Sequence, residues 1–469
     1  MRMAGLILLL GFGLTVQAGE APQDDGTTTL HWAVHEGDLA RITQLIAAGA
    51  DVNATNDYGV TPLAEAAVTA DPQILRALLK AGASVEARNP EGQTALMVVA
   101  RTGRVEAAEL LIRRGADVNA VEQWRGQTAL MWAALEGQAP MVRLLARHGA
   151  KLDARSTVND WARQVTAERR GQWRPIGGLT ALLFAARQGE LDTVRALVEA
   201  GADPNLPDPE GVTPMLMAAT NYHFDVVAWL LEHGGDPNRW DWRGRTPLYA
   251  AVDLNTLPHG GRPELPSLDR VSSLELIDRL LRAGANPNAQ LKLFPDYRHL
   301  KDDRGADNVL TIGSTPLLRA AKAFDVPALK LLLAQGARTD LPTIDGYTPV
   351  MLAAGLGDTL ADTRGVYDTK DVQRRAIAAL RVLLDAGADV NAVNRKGHSA
   401  LFGAVWWGWD DVVKVLVQAG ARLDAIDAQG RTLRDAAMGL VPQGKGRGSQ
   451  GEDPHPVTAA LIESLRAGT

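Results

Sequence analysis

Between Gln123 and Ala154 the apolar positions fall into two short runs separated by Gly137, and the same arrangement returns along most of the chain. The first run follows a glycine turn at Gly126 and a threonine, Thr128, placed to cap a helix. The second, Met141 to Ala146, sets Val142, Leu145 and Ala146 on one stripe at helical spacing and stops at His148-Gly149, where a left-handed glycine ends the helix. The pattern predicts a helical hairpin. Neither helix is long enough to persist alone in water, so each must bury its apolar face against a neighbour of the same kind.

The Gly-Ala or Gly-Gly step that closes the second helix recurs at Gly49, Gly82, Gly115, Gly149, Gly201, Gly234, Gly284, Gly336, Gly387 and Gly420, at intervals of 33, 33, 34, 52, 33, 50, 52, 51 and 33 residues. A fixed period with some enlarged members marks a stacked repeat with extra segments spliced in. The same words surround each glycine: TPLAEAA at Thr61, TALMWAA at Thr128, TPMLMAAT at Thr213, TPLYAAV at Thr246 and TPLLRAA at Thr315, with GADVNA at Gly49, Gly115 and Gly387. In these words the chain resembles the ankyrin-repeat family, with its TPLHxAA opening, two-helix hairpin and GADVNA finger. The resemblance runs from Gly26 to about Thr469 and implies an all-α repeat, an ankyrin-repeat solenoid of about eleven helix-turn-helix units with finger loops and four insertions. It says little about function, because such arrays bind unrelated partners.

Residues 1–18 join Arg2, an apolar run from Ala4 to Val16 and a small residue at Ala18, the composition of a cleaved signal peptide. The apolar run falls short of the roughly 20 residues a membrane-spanning helix needs. The expectation is export to the periplasm or outside the cell, in a bacterium. Residues 19–27 read as linker and residues 28–469 as one repeat domain. Repeats one to four, opening at Thr28, Thr61, Thr94 and Thr128, are regular and read as scaffold.

The insertions are 155–177, in which Asp160 to Arg169 can form a short helix; 253–271, an extended loop rich in Pro and Gly; 292–312; and 358–371. Long segments in a frugal array are usually functional or disordered, so repeats four to ten read as the working surface. The last repeat, 432–469, is expected to cap the array, with Val457, Leu461 and Leu465 on its apolar stripe.

Charge and composition narrow the partners. A formal net charge of −6 gives no basic footprint for nucleic acid or an anionic membrane. The absence of cysteine excludes disulfides, thiolate metal sites and a cysteine nucleophile. Tryptophan is in excess, 11 against 6 Phe and 6 Tyr, and beside Arg it has the composition of a binding hot spot.

In the family the exposed positions lie beside the turn glycine, in the middle of the first helix and just before that helix closes. The resemblance carries these over to Trp124, Arg125, Trp132 and Glu136 in repeat four, Trp242, Arg243 and Arg245 in seven, Arg319 and Lys322 in eight, and Trp406 and Trp407 in ten. Trp173 and Arg174 of the first insertion join the set. The competing reading makes these aromatics internal packing, with Trp406 and Trp407 covered by the insertion of repeat nine.

His31 and His35 stand four apart with Glu36 adjacent, but no third ligand is evident, and His31 has a family role in holding a neighbouring turn. Aspartates near Asp302 lack the calcium-loop pattern, and the GKGRGSQG run at Gly444 lacks the order needed to cradle phosphate. Glu65 and Glu136 would face one concavity two repeats apart, though with no base or nucleophile to pair with them they read as surface charge. No metal or cofactor is called for. The expected function is an exported, monomeric module that binds another protein through the concave surface and loops of repeats four to ten. The alternatives are an enzyme whose site is formed by the insertions, and a secreted effector that binds host proteins.

Overall fold

The computed structural model of the protein describes residues 25–159, 162–163, 172–173, 176–256, 269–292, 309–357, 369–439 and 454–467. Residues 1–18, the calcium-like and GKGRGSQG segments and much of each insertion lie outside the described residues. The chain divides between Thr157 and Val158 into two compact units. In each, short amphipathic helices form hairpins, and the hairpins stack.

The first unit holds four hairpins: Thr29–His35 with Leu39–Ala47, Pro62–Thr69 with Pro72–Lys80, Ala95–Thr102 with Val105–Arg113, and Ala129–Leu135 with Ala139–Arg147. First helices pack on first helices and second on second. Alanines carry the close contacts: Ala33, Ala66, Ala67, Ala100, Ala133 and Ala134 are fully buried, and their small side chains let successive helices approach. Leu63, Leu96 and Leu130 fill the space between hairpins, each contributing about 1.5–3 kcal/mol by burial. Threonine starts the first helices as expected. Thr61 Oγ1 accepts the Ala64 amide at 3.1 Å and Thr128 Oγ1 the Met131 amide at 3.3 Å.

The second unit holds seven hairpins, from Ala181–Gln188 with Leu191–Glu199 to Leu433–Ala437 with Pro456–Ala467, so among the described residues the hairpins number eleven, as the periodicity predicts. Every closing glycine from Gly49 to Gly420 has a positive φ, such as 93° at Gly82, a conformation costly for residues with a Cβ.

Among the described residues, an asparagine in six of the fingers stitches a hairpin to the next one of the same unit. Asn119 Nδ2 donates to the Gly149 carbonyl at 3.0 Å while its Oδ1 accepts the Lys151 amide at 2.8 Å. Asn53, Asn205, Asn238, Asn288 and Asn391 make the same pair of bonds to the turn of the following repeat. Asn119→Ala removes two bonds at once and is expected to lower stability by about 1–2 kcal/mol, read as a lower urea midpoint, with Asn119→Asp in between because it keeps the acceptor. An unchanged midpoint would show the stitch to be ornamental.

Three expectations for the insertions and the last repeat need correction. In the first insertion, Ala162–Arg163 is not helix but strand, paired antiparallel with Gln172–Trp173, and Val158–Asn159 pairs with Ile176–Gly177. An isolated helix of that length is marginal, whereas ladder pairing satisfies the backbone directly. The helix of repeat seven runs on to Thr256, three residues beyond the start of the segment read as loop, because Asp253 has a partner in repeat eight. In the last helix Val457 is exposed, and Thr458, Ala459 and Ile462 are buried instead. The Thr458 hydroxyl donates to Asp410 Oδ1 at 2.6 Å, and that bond turns the helix face relative to the stripe read from hydrophobicity.

Candidate functional site

On the first unit the inner helices of repeats two and three leave a shelf. The TPLAEAAV segment buries Leu63, Ala66 and Ala67 and turns Ala64, Glu65 and Val68 outward, and Val98 occupies the corresponding outward place one repeat on. The two fingers before these helices bend at Gly59 and Gly92, both with positive φ, and bring Tyr58 and Glu91 over the same shelf. The result is an open, mostly apolar groove of about 960 Å³ that reaches Arg101 and Glu136. Tyr58 is 65% and Val68 62% exposed, large values for apolar side chains held on ordered elements.

Charge lines the rim. Glu65 Oε1 accepts a hydrogen bond from His35 Nδ1 at 2.7 Å, and Trp32 stands edge-on to that imidazole at 6.0 Å. Arg101 Nε is 3.7 Å from Glu136 Oε1, and its guanidinium lies over the Trp132 ring at 4.8 Å from the centroid. Both members of this ion pair are solvated, so it contributes little to stability. His31 plays the part the resemblance implies: Nδ1 accepts the Thr28 amide at 3.2 Å, which places the proton on Nε2, 3.0 Å from the Val60 carbonyl. It fixes the finger that carries Tyr58.

The residues picked from the sequence separate into distinct groups. Trp124, 78% exposed, and Arg125 sit on a turn whose amides donate to the buried Glu122 carboxylate at 2.6 and 2.7 Å. Glu136 is exposed at the end of the groove, whereas Trp132 is half-buried beneath Arg101. Trp242 is exposed, with the Arg243 guanidinium 5.2 Å from its ring, and Arg245 Nε donates to the buried Asp241 at 2.7 Å.

Arg243, Arg319 and Lys322, expected on the open surface, are buried, Arg243 to 1% and Arg319 to 3% exposure. For Arg319 the reason is an ion pair with Asp253 of the preceding repeat, which compensates the cation for loss of water. Trp406 and Trp407 are half-buried: the Trp406 ring meets His398 edge-on at 4.6 Å, and Trp407 Nε1 donates to the Gly355 carbonyl at 2.9 Å. Trp173 lies in a strand, and Arg174 is outside the described residues.

The groove draws on residues that the sequence reading passed over, above all Tyr58, Val68, Val98, Glu91 and Arg101. A signal was present, since Tyr58 stands beside a turn glycine and Val68 just before a helix closes, two of the exposed places. Glu65 and Glu136, read as facing one concavity, do line this groove together.

A family sequence model described as Ankyrin repeats matches in three copies, over residues 6–89, 71–156 and 182–259. These are ankyrin repeats. The chain is similar to human Ankyrin repeat and SOCS box protein 16, at 28% identity over 210 residues, 44% of this chain and 45% of that protein. It is also similar to the E3 ubiquitin-protein ligase hecd-1 of Caenorhabditis elegans, at 32% identity over 124 residues, 26% of this chain and 4% of that protein. The chain spans less than half the length of either relative. Ankyrin repeats generally mediate protein–protein interaction. Among the described residues no helix is long and apolar enough to cross a membrane.

Proposed function

We propose that this ankyrin-repeat protein is a binding scaffold that holds a protein partner in the groove of repeats two to four. The observation that carries the reading is the exposed apolar shelf of Tyr58 and Val68 inside a preorganised stack. A rigid surface of this kind loses little entropy on docking, and exposed apolar patches on ordered elements mark interaction sites. The insertions point to repeats four to ten, but Arg243, Arg319 and Lys322 there are buried, which leaves the groove of repeats two to four as the better-exposed surface. The apolar run from Ala4 to Val16 supports an exported protein, which would meet its partner outside the cytoplasm.

The double variant Tyr58→Ala with Val68→Ser tests this. Both side chains are exposed, so the circular dichroism spectrum is expected to stay unchanged. A partner captured by the wild type from an extract of the source organism is expected to bind about thirtyfold more weakly, the effect of losing a hot-spot anchor. Equal capture by wild type and variant would overturn the assignment.

A further inference from the structure

The rim of the groove specifies what kind of segment it accepts. Three carboxylates, Glu65, Glu91 and Glu136, line it, against a single guanidinium, Arg101. Arg101 reaches only Glu136 among them, at 3.7 Å and in a solvated geometry. His35 engages one oxygen of Glu65, leaving the other directed to no protein group among the described residues. Between the carboxylates the floor is apolar, formed by Ala64, Val68 and Val98 with Tyr58 at its side. An acidic segment would meet like charge at a short distance, a neutral apolar one would leave the carboxylates facing its side chains without reward, and a cationic apolar one satisfies both features.

We propose that the groove of repeats two to four takes a segment of its protein partner in which an Arg or Lys stands next to a large apolar side chain. The cation sits on the acidic rim that Glu65, Glu91 and Glu136 line, while its neighbour covers Val68 and packs against Tyr58. This rests on the docking reading above and adds the chemistry of the occupant. Long basic side chains suit the geometry, since their aliphatic stems lie along apolar surface while the charged head reaches the rim. Arg101, held between Glu136 and the Trp132 ring, is the one repulsive element of the lining and discriminates against segments that bring a second cation to that end.

The test is selection from a phage-displayed random dodecapeptide library on the full-length protein. The same library is panned on Tyr58→Ala with Val68→Ser, and on the triple variant Glu65→Gln, Glu91→Gln and Glu136→Gln. Peptides that bind the wild type and are lost on the apolar variant are expected to share a basic residue beside an aliphatic or aromatic one. A synthetic peptide of that sequence is expected to bind the triple variant about tenfold more weakly, and to weaken on the wild type as salt rises from about 0.05 M to about 0.5 M. Groove-dependent peptides that are acidic or uncharged, or basic ones that bind the triple variant equally well, would overturn the proposed chemistry and leave the docking reading standing. If no enriched peptide depends on Tyr58 and Val68, both readings fall.

Discussion

Replacing Asp253 by alanine is expected to destabilise the second unit by about 3–5 kcal/mol, a large fraction of the stability of an ordinary domain. Asp253 lies in the last turn of the first helix of repeat seven, Pro247–Thr256, and its carboxylate receives the Nε–H of Arg319 from Pro316–Lys322 in repeat eight. Both residues are buried. Removing the acid leaves the buried Arg319 guanidinium without its carboxylate in a place with little water. Around the pair, Asn255 Nδ2 donates to Asp325 Oδ2 at 2.6 Å, and the Ser273 hydroxyl donates to Asn255 Oδ1, so that residues of repeats seven and eight meet in one polar network.

Replacing both members, Asp253→Ala with Arg319→Met, is expected to recover most of the loss, because a buried ion pair often contributes no more than an apolar filling of the same volume. Urea unfolding followed by circular dichroism separates the outcomes. A cost below about 1 kcal/mol for the single variant would show that water reaches the site.

The second large effect is a pH dependence centred on His398. Its imidazole is buried between the Phe402 and Trp406 rings, at 5.2 and 4.6 Å, and its Nε2 lies 3.4 Å from Asp427 Oδ2. Burial pushes its pKa down to about 4; Asp427 opposes the shift, and Arg431 and Lys396 reinforce it. In the unfolded chain the same group titrates near its ordinary value of 6.5. The folded state therefore prefers the neutral ring, and its contribution is complete above pH 6.5. It fades as acid protonates the unfolded chain first, and is gone below about pH 4. Near pH 4.5 the expected loss from this one residue is about 2–3 kcal/mol. His398→Gln cannot take up the proton, so the wild type should lose that much more stability than the variant between neutral pH and about pH 4.5. Parallel pH profiles for the two proteins would sink the assignment.

The groove and the buried network show how unevenly function can be read from a repeat sequence. Position within the repeat was legible: Trp124 and Glu136 are exposed where the family pattern puts them. The same pattern assigned Arg319 and Lys322 to the surface, yet both are buried, and for Arg319 it is Asp253 of the neighbouring repeat that covers the side chain. Tyr58, Val68 and Val98 each look ordinary in isolation. They become a site only when consecutive hairpins bring them to one shelf.

What the sequence determined by itself was the unit and its number. Apolar spacing, capping threonines and left-handed glycines are local properties, satisfied within about thirty residues wherever the segment happens to lie, and they predict eleven hairpins without reference to any contact between them. Only the tertiary structure decided which outward side chains stay in water: which carboxylate faces Arg319, how Thr458 turns the last helix, and which exposed residues of repeats two to four share a groove. Those outcomes depend on residues roughly one period apart or more, where stacking distance and burial, rather than local spacing, set the energy.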